Sequence, residues 1–365
     1  MHPKSWLRRT LKIAGYSLAA VVVAILLTVI TMEARCRGTA TPAATAFRSV
    51  LEPAERRDEA NSYLTYPEWS VVYAYQDLAG VMRRGSESDF KYFQSISGFW
   101  SSLCSVKRLA SGRGPIAFDY TAALYIIGVS FTAEMGVKGA YEKTIGAVTA
   151  WIRGATRTPE DNFALTTADD YAAFLRQVPW YEYPFGAKLV RFWADTPLWG
   201  GNIIRKIERR IALTLEYGSK MVYARGIAAL AGLSPAPLQI RSVVAGLDQT
   251  DTTAEPRITV IRAAEPNARV IETPRYRAFT EIMRGLAARN RNFTEIAGNQ
   301  NILVTVLVPP GTNVAPDQAT ELLSVPIQTR PGWHRFGLDV KVPGLLAFLR
   351  GISKTPVELE HVYDY

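Results

Sequence analysis

Two glutamates occur in the same local sequence at two separate places in the chain. The pattern T-x-E-x-G-x-K-x-x-Y is found at residues 132–141 and again at residues 214–223. In a helix, each glutamate lies one turn before the lysine of its own copy, so the two charges face together. If the two helices pack side by side, the carboxylates share a pocket, which raises one pKa and creates an acid/base pair. Glu134 and Glu216 are therefore the catalytic candidates, although helix-stabilising Glu–Lys pairs are the interpretation that we favour.

The sequence lacks the common motifs of enzymes. It contains no phosphate-binding glycine loop, no GxGxxG, no HExxH and no GxSxG. Residues 88–91 fit the SxxK pattern of penicillin-binding enzymes, but no KTG follows, and Lys91 is then an ordinary solvent-facing residue of a helix. We therefore expect no cofactor, and the sequence leaves open whether the protein is an enzyme.

Histidines and cysteines are too few for a typical metal site. The chain has three histidines and two cysteines, which cannot supply a zinc finger or a histidine-rich site. The last residues, 357–365, alternate as a strand does, with Glu358 and Glu360 on one side and His361 on the other. Such a cluster binds a metal only when other loops add ligands. A strand with a polar outer face and a satisfied histidine is the simpler interpretation, and we expect no metal.

The two cysteines are Cys36 and Cys104. In an oxidising compartment they can pair as a disulfide. Alternatively, Cys104 is a small buried apolar residue of a predicted helix, which is the usual role of a free cysteine.

A basic cluster and three tryptophans predict a surface that contacts lipid. A long predicted helix begins with the basic residues Arg205, Lys206, Arg209 and Arg210. Each basic residue near an anionic membrane contributes about 1 kcal/mol to binding. The aromatic segment before this helix contains Trp180, Trp193 and Trp199. An indole favours the membrane interface because its polar end stays wet. Alternatively, the aromatic residues form core and the charges are solvated.

An uncharged apolar run near the N-terminus predicts a membrane anchor. Residues 13–32 are twenty consecutive residues without a charge, mostly Ala, Val, Ile and Leu. A helix of that length spans about 30 Å, the thickness of the hydrocarbon core of a bilayer. The basic flank at residues 1–12 favours a cytoplasmic N-terminus and places the body outside, on the periplasmic or extracellular side. A cleaved signal peptide is the alternative, but the run is longer than the apolar region of typical signal peptides.

The chain after the anchor begins with a linker and a helical half. Residues 33–53 are rich in Ala, Thr and Pro and predict a linker. Residues 54–233 repeat apolar side chains at helical spacing and predict an α-helical domain. Within it, residues 120–137 are apolar enough for a second membrane span, but a carboxylate near each end favours a buried core helix.

Residues 238–365 contain short β-branched segments, which predict an α+β domain. From residue 268 onward we expect the order strand, helix, strand, strand, helix, strand. That is the split βαβ order of a ferredoxin-like sandwich. It requires that only one of the segments 322–329 and 334–340 is a strand.

The function that we expect is non-catalytic. A net charge of +9 outside the cytoplasm favours anionic lipid or wall polymer as the partner, rather than nucleic acid. We expect a single-pass, membrane-anchored protein of the cell envelope that binds lipid or another envelope protein. The alternative is a membrane-tethered enzyme that acts on a lipid or cell-wall substrate through Glu134 and Glu216.

Overall fold

The computed structural model describes most of the chain after the predicted anchor. The described residues are 16, 23–39, 47–113, 116–176, 178, 180–230, 238–264, 267–313 and 319–365. Residues 23–35 form a helix, α1, which continues past the end of the predicted anchor. The first part of that anchor, apart from Tyr16, lies outside the described residues.

Eight further α-helices form the helical half in the described residues. They are α2 (Glu59–Leu64), α3 (Tyr66–Arg84), α4 (Tyr92–Arg113), α5 (Phe118–Tyr141), α6 (Ala147–Arg153), α7 (Pro159–Phe174), α8 (Phe185–Asp195) and α9 (Ile203–Leu230). Local signals explain where some of them begin. Pro67 lies in the first turn of α3, where its missing N–H costs no hydrogen bond. Thr158 and Asp161 form a capping box, in which each side chain accepts the backbone N–H of the other at the start of α7.

The helices α5 and α6 are one continuous element joined by a π-helical turn, Glu142–Gly146. A π turn holds an extra residue and occurs often at functional sites. Among the described residues, Phe118–Arg153 is the one helix long and apolar enough to cross a membrane, yet only 28% of its most apolar window is buried. The expected buried core helix is therefore exposed along one side. Its other side packs on α4 and carries charged residues inward, as part of the helical half.

Aromatic side chains dominate the core of the helical half. Fully buried examples are Tyr63, Tyr66, Phe90, Tyr92, Phe99 and Phe192. They leave little room between neighbouring helices. A Cβ atom at Gly139 would lie 2.6 Å from the Cβ of Tyr92, so glycine is the residue that lets α5 pack this closely on α4.

Both ends of the predicted linker are fastened to the body. Cys36 and Cys104 form a disulfide with their Cα atoms 4.9 Å apart, which joins the end of α1 to α4. Glu33 forms an ion pair with Lys107. At the other end, Leu51 is fully buried against residues of the C-terminal half. Residues 40–46, between these ends, lie outside the described part of the chain.

The C-terminal half contains two four-stranded antiparallel sheets in the described residues. Its first group of elements is β1 (Gln239–Ala245), α10 (Gln249–Ala254), β2 (Thr259–Ala264), β3 (Ala268–Pro274), α11 (Tyr276–Ala288) and β4 (Asn292–Ile296). Its second group is β5 (Asn301–Val308), β6 (Ala319–Pro326), β7 (His334–Lys341), α12 (Leu345–Ile352) and β8 (Glu358–Val362). The strand orders are β2-β3-β1-β4 and β6-β7-β5-β8.

The α+β content is confirmed, but the ferredoxin-like arrangement is wrong. The strands β3 and β5, which that fold places in one sheet, lie in different sheets. Two pairing events explain the difference. The short strand β4, which the sequence analysis did not recognise, pairs with β1 and completes the first sheet. The two segments treated as alternatives both form strands, β6 and β7, and pair with each other in the second sheet.

Apart from α10, which lies between β1 and β2, each sheet is built from the same succession of elements: three strands, a helix and a last strand. Strand order 2-3-1-4 in the first sheet recurs as 6-7-5-8 in the second. The register shifts recur as well, between Val243 and Val244 opposite β4 and between Thr305 and Val306 opposite β8. The helices α11 and α12 contact each other, and each also contacts the last strand of the other sheet. The two sheets therefore share one apolar core.

The helical half and the C-terminal half also share contacts. Leu303 and Tyr363 belong to the core of the helical half, and His361 stacks on Trp69 with ring centres 4.4 Å apart. The expected boundary between the halves, residues 234–237, lies outside the described residues. Independent folding of the two halves stays a prediction.

Protonation of His361 is expected to destabilise the fold. Burial lowers the pKa of His361 to about 3, from an ordinary value of 6.5. The folded protein then keeps the ring neutral, while the unfolded chain takes up a proton below about pH 6.5. The free energy of unfolding therefore falls as the pH drops from about 6.5 toward 3, by roughly 3 kcal/mol at about pH 4.

Urea unfolding at several pH values measures this effect. The variant His361→Phe keeps a ring against Trp69 and should lose this part of the pH dependence. His334→Phe, on β7, is the matched control and should keep it. Identical pH dependence in the wild type and in His361→Phe would contradict the assignment.

Candidate functional site

The two copies of the repeated pattern lie side by side in the structure. Side chains of α5 and α9 form pairs, and as the residue number increases along α5, the residue number of the partner on α9 decreases. The two helices are therefore antiparallel. The pairs are Ser130–Tyr223, Glu134–Lys220 and Lys138–Glu216. Lys220 Nζ bridges the two candidate carboxylates, 2.6 Å from Glu134 and 3.1 Å from Glu216. The Glu–Lys pair within one helix, which is the interpretation that we favoured, thus forms on α9 between Glu216 and Lys220. The Glu134–Lys220 and Lys138–Glu216 pairs join α5 to α9.

Lysines neutralise Glu216, one of the two carboxylates of the suggested acid/base pair. Burial by itself raises the pKa of Glu216, but Lys138 and Lys220 outweigh burial and lower it to about 2. Burial likewise lowers the pKa of Lys138, but Glu216 and Glu87 raise it well above its ordinary value. Glu216 is therefore ionised at neutral pH and cannot act as a general acid. The pattern predicts one raised pKa in the pair, and the pKa of Glu216 is lowered instead, because lysines from both helices neutralise it.

The four basic residues at the start of α9 are buried, which corrects their predicted contact with lipid headgroups. The buried residues are Arg205, Lys206, Arg209 and Arg210. They project from the side of α9 that faces the other helices, while Ile204, Ile207 and Ile211 occupy the exposed side. Helical spacing explains this division, because residues three and four apart share a side.

Arg209 is the centre of the buried charges, with 1% of its surface exposed. Its guanidinium contacts three carboxylates: Glu87 at 2.9 Å, Glu142 at 2.7 Å and Glu208 at 2.5 Å. A guanidinium can serve several acceptors at once because its five N–H donors are fixed in a planar fork. Tyr141 adds a hydrogen bond to Glu208, with its hydroxyl 2.6 Å from Oε1.

Arg205 extends the network from Glu208 toward α7. It lies 2.9 Å from Glu208 and 2.8 Å from Asp161. Arg153 binds the other oxygen of Asp161, at 2.9 Å. Burial raises the pKa of Asp161, but Arg205 outweighs burial and lowers it. The carboxylate that caps α7 is therefore also a member of the charged network.

Lys206 and Arg210 fasten the tryptophan segment to α9. Lys206 Nζ donates hydrogen bonds to the carbonyl oxygens of Pro197 at 2.7 Å and Trp199 at 3.0 Å. Arg210 pairs with Glu160 at 3.3 Å, and its guanidinium lies 4.8 Å from the ring centre of Trp193. These two basic residues therefore position tryptophans instead of contacting lipid themselves.

Glu142 occupies the start of the π turn. Its Oε1 accepts a hydrogen bond from Arg209, whereas its Oε2 has no hydrogen-bond partner among the described residues. A Cβ atom at Gly146 would lie 2.2 Å from that Oε2 atom, so the glycine makes room for the carboxyl group. Burial and the negative charge of Glu87 raise the pKa of Glu142 to about 7, although Arg209 and Lys138 oppose this shift.

An exposed apolar surface, which we call the apolar face, covers the outer side of this network. Helix α9 contributes Ile204, Ile207, Ile211, Leu215 and Val222, and the α5–α6 element contributes Ile126, Val137, Ile145, Val148 and Trp151. From residue 203 to residue 223, the fully exposed positions of α9 include no charged residue. The row on α9 is about 27 Å long. At about 100° per residue, the row on each helix lies to one side of the ion pairs that join the helices, and it is the same side of the antiparallel pair for both rows, so the rows form one surface.

Two of the three predicted tryptophans border the apolar face. Trp193 is 50% exposed and Trp199 is 80% exposed. Trp193 Nε1 donates a hydrogen bond to Thr214 of α9 at 3.1 Å, which places the ring beside the exposed row. Trp180 instead stacks on Tyr223, with ring centres 5.2 Å apart.

A pocket opens at the end of the network that holds Asp161. Its charged lining includes Glu87, Arg153, Asp161 and Arg205. The pocket brings solvent next to the buried charges. Among the described residues, no three His, Cys, Asp or Glu side chains are grouped so that they could hold a metal ion.

Comparisons with known proteins supply no function for this site. No protein-family model matches the chain, and no curated protein or solved structure matches it. The interpretation therefore depends on the geometry of the charged network and the apolar face.

The sequence analysis missed the apolar face and most of the carboxylates that neutralise α9. A signal for the face was available, because Ile204, Ile207 and Ile211 recur at intervals of three and four residues. Glu87 and Glu142 come from other elements of the fold, so no local pattern connects them to Arg209. Tertiary packing alone brings them together.

Removing Arg209 should destabilise the helical half strongly. In Arg209→Gln, three buried carboxylates lose the cation between them, and breaking such a pair costs roughly 3–5 kcal/mol. Arg191, whose exposed side chain lies 3.6 Å from Asp195, is the matched control. Arg191→Gln should change the free energy of unfolding by less than about 1 kcal/mol. Chemical unfolding of both variants measures the difference, and equal stabilities would show that the network is not structural.

Proposed function

We propose that this protein is a membrane-anchored component of the cell envelope whose helical half docks on the lipid bilayer through the apolar face. Its role there is to bind lipid, and to hold the C-terminal half at the membrane for an assembly partner, rather than to catalyse a reaction. The observation that carries the proposal is the orientation of helix α9. Its charged side chains point into the protein, and its apolar side chains point outward.

The size and character of the apolar face support lipid as its occupant. Soluble proteins rarely expose contiguous apolar patches larger than a few hundred Å², and larger patches mark interaction sites. Lipid acyl chains can contact an apolar surface of any shape, but they require that the surface carries no charge. The exposed row of α9 is free of charge over about 27 Å. Trp193 and Trp199 at its border suit the interface between headgroups and acyl chains.

The position of α1 supports the same occupant. Glu33, near the end of α1, accepts a hydrogen bond from the Tyr125 hydroxyl at 2.7 Å. The next residue, Ile126, begins the exposed row on α5. The disulfide at Cys36 fixes this arrangement. An anchor inserted in the bilayer therefore holds the apolar face within reach of the same bilayer.

Docking flat on the membrane fits the surface better than a second span. Other surfaces of the helical half carry ion pairs with exposed partners, such as Arg83–Asp169 and Lys188–Asp170. Charged groups are costly in hydrocarbon. A structure that is apolar on one side lies in the plane of the interface.

The disulfide supports a body outside the cytoplasm. Disulfides persist in oxidising compartments and are rare in the cytosol. The basic flank before the anchor favours the same side of the membrane. We therefore propose a periplasmic or extracellular location for both halves.

The alternative of a membrane-tethered enzyme has less support. It depends on Glu134 and Glu216, and each of these carboxylates is engaged by lysine. The pocket at the network is lined by other residues. We therefore prefer the binding role.

A bilayer-soluble photoactivatable reagent tests the docking proposal. The full-length protein is reconstituted in lipid vesicles and labelled, and the labelled peptides are identified by mass spectrometry. We expect labels on residues 203–223 and 145–152, at a yield that does not fall when salt is raised, because the contact is apolar. Labelling that disappears at high salt would indicate a contact through charges instead.

Matched variants make this test specific. Ile207→Glu combined with Leu215→Glu places two charges on the apolar face and should reduce labelling of α9 several-fold. Val260→Glu changes an exposed apolar residue on β2 and should have no effect on α9. Labelling of α9 no stronger than that of β2 would refute lipid docking. Chemical cross-links between two copies through α9 would replace the bilayer with a second copy as the occupant.

A further inference from the structure

The charges of the buried network do not balance. Its cations, connected through direct ion pairs, are Lys138, Arg153, Arg205, Arg209 and Lys220. Its carboxylates are Glu87, Glu134, Glu142, Asp161, Glu208 and Glu216. Among the described residues, five cations therefore face six carboxylates. Glu134, at one end, is 32% exposed, so the buried shortage of positive charge lies around Arg209, where Glu142 has no cation of its own. An uncompensated charge in a buried site is costly, and a carboxylate in that situation takes up a proton instead.

The geometry shows where the extra proton belongs. Glu142 is 3% exposed, and its Oε2 has no hydrogen-bond partner in the described part of the chain. Its other oxygen shares the guanidinium of Arg209 with two further carboxylates. The space for the free oxygen exists because residue 146 is a glycine. The π turn, which directs Glu142 into the network, is a further local feature of the kind found at functional sites.

Charged side chains from the elements packed around Glu142 face its carboxyl group, and they include both acidic and basic residues. Glu87 approaches from the turn Glu87–Asp89, Lys138 from α5, and Arg209 and Glu208 from α9. Tyr92 of α4 and Tyr141 are close enough to interact electrostatically with Glu142, whose charge raises the pKa of both hydroxyl groups. Lys143 points away and donates to the Ser88 carbonyl oxygen at 2.6 Å. Glu87 carries the repulsion, and Arg209 and Lys138 oppose it.

We propose that the network contains a binding site for one exchangeable proton, held on Glu142 beside Glu87 and Arg209. On deprotonation the O–H bond of the carboxylic acid breaks, the electron pair stays on the carboxylate, and the proton passes to water. Glu87 also lines the pocket that is open to solvent, which supplies the exchange route. The pKa of Glu142, raised to about 7, agrees with exchange near neutral pH.

The proton site has a consequence for the apolar face. Ile145 lies within the π turn, and Val148 lies one turn further on; both are exposed on that face. Loss of the proton leaves a buried negative charge in the same turn and favours its opening to water. The proton site itself does not depend on lipid docking. Coupling of pH to docking does rest on the proposed function.

Infrared difference spectroscopy on the full-length protein in detergent tests the proton site, since detergent removes the bilayer from the measurement. The C=O stretching band of a protonated carboxylic acid is separate from the bands of a carboxylate. Between about pH 6 and about pH 8, ordinary aspartates and glutamates are already ionised. We expect the wild type to lose in this range a C=O band that Glu142 contributes, whereas the histidines that also titrate there have no carboxyl C=O band.

Three variants identify the group. Glu142→Gln should abolish the band, while Asp169→Asn, at an exposed ion pair, should keep it. Glu216→Gln removes a remote carboxylate and balances the network without a proton, so the titration should move to lower pH. A purely structural role of Glu142 would not produce this shift of the titration. The Glu216→Gln variant therefore also tests the proposal if Glu142→Gln does not fold. A wild type that titrates no carboxyl group in this range, or a titration unchanged in Glu142→Gln, would overturn the proposal. Labelling of α9 in vesicles decides the docking proposal separately.

Discussion

The contact of Arg209 with three buried carboxylates is the interaction on which the rest of the helical half depends. A buried guanidinium and buried carboxylates are each costly to remove from water, and only their mutual contacts offset that cost. The carboxylates come from the turn before α4, from the π turn and from α9 itself. The arginine therefore fixes the relative positions of three elements at once. Arg205 continues the same contacts to the cap of α7, so a fourth element is held as well.

The direction of these charges decides the character of the outer surface. Because the basic residues of α9 point inward, the isoleucines between them must point outward. The same division occurs on α5 and α6, where Lys138 and Glu142 face the network while Val137 and Ile145 are exposed. The apolar face, which is unusual for a soluble protein, is therefore a consequence of the buried ion pairs. The helices that direct their charged side chains into the network expose their apolar side chains on the opposite side. The end of α1 contacts Tyr125, the neighbour of the exposed Ile126.

The C-terminal half solves a different packing problem by repetition. Each of its sheets ends in an edge strand, β4 or β8, that follows a helix, and the two helices pack together in a common core. The last strand also reaches the helical half, where His361 lies against Trp69 and Tyr363 joins the aromatic core. The two halves are consequently linked by packing as well as by the chain.

Several properties of the protein were determined by local sequence. The helical and α+β halves were recognisable because apolar spacing of three to four residues and short β-branched segments are local patterns. The repeated Glu–Lys pattern correctly marked two helices whose charges meet, with Glu134 and Glu216 close together. The cysteine pair was also available as a candidate, and the structure joins Cys36 to Cys104.

Tertiary structure decided the features that carry the function we propose. Helical spacing divides α9 into a basic side and an apolar side, but it does not say which side faces water. That choice depends on Glu87, Glu142 and Asp161, which neutralise the basic side from distant parts of the chain. Strand pairing was undecided for the same reason, since β4 becomes a strand only beside β1. Local pattern determines where helices and strands can form, whereas buried charges and strand edges find their partners only when distant segments meet.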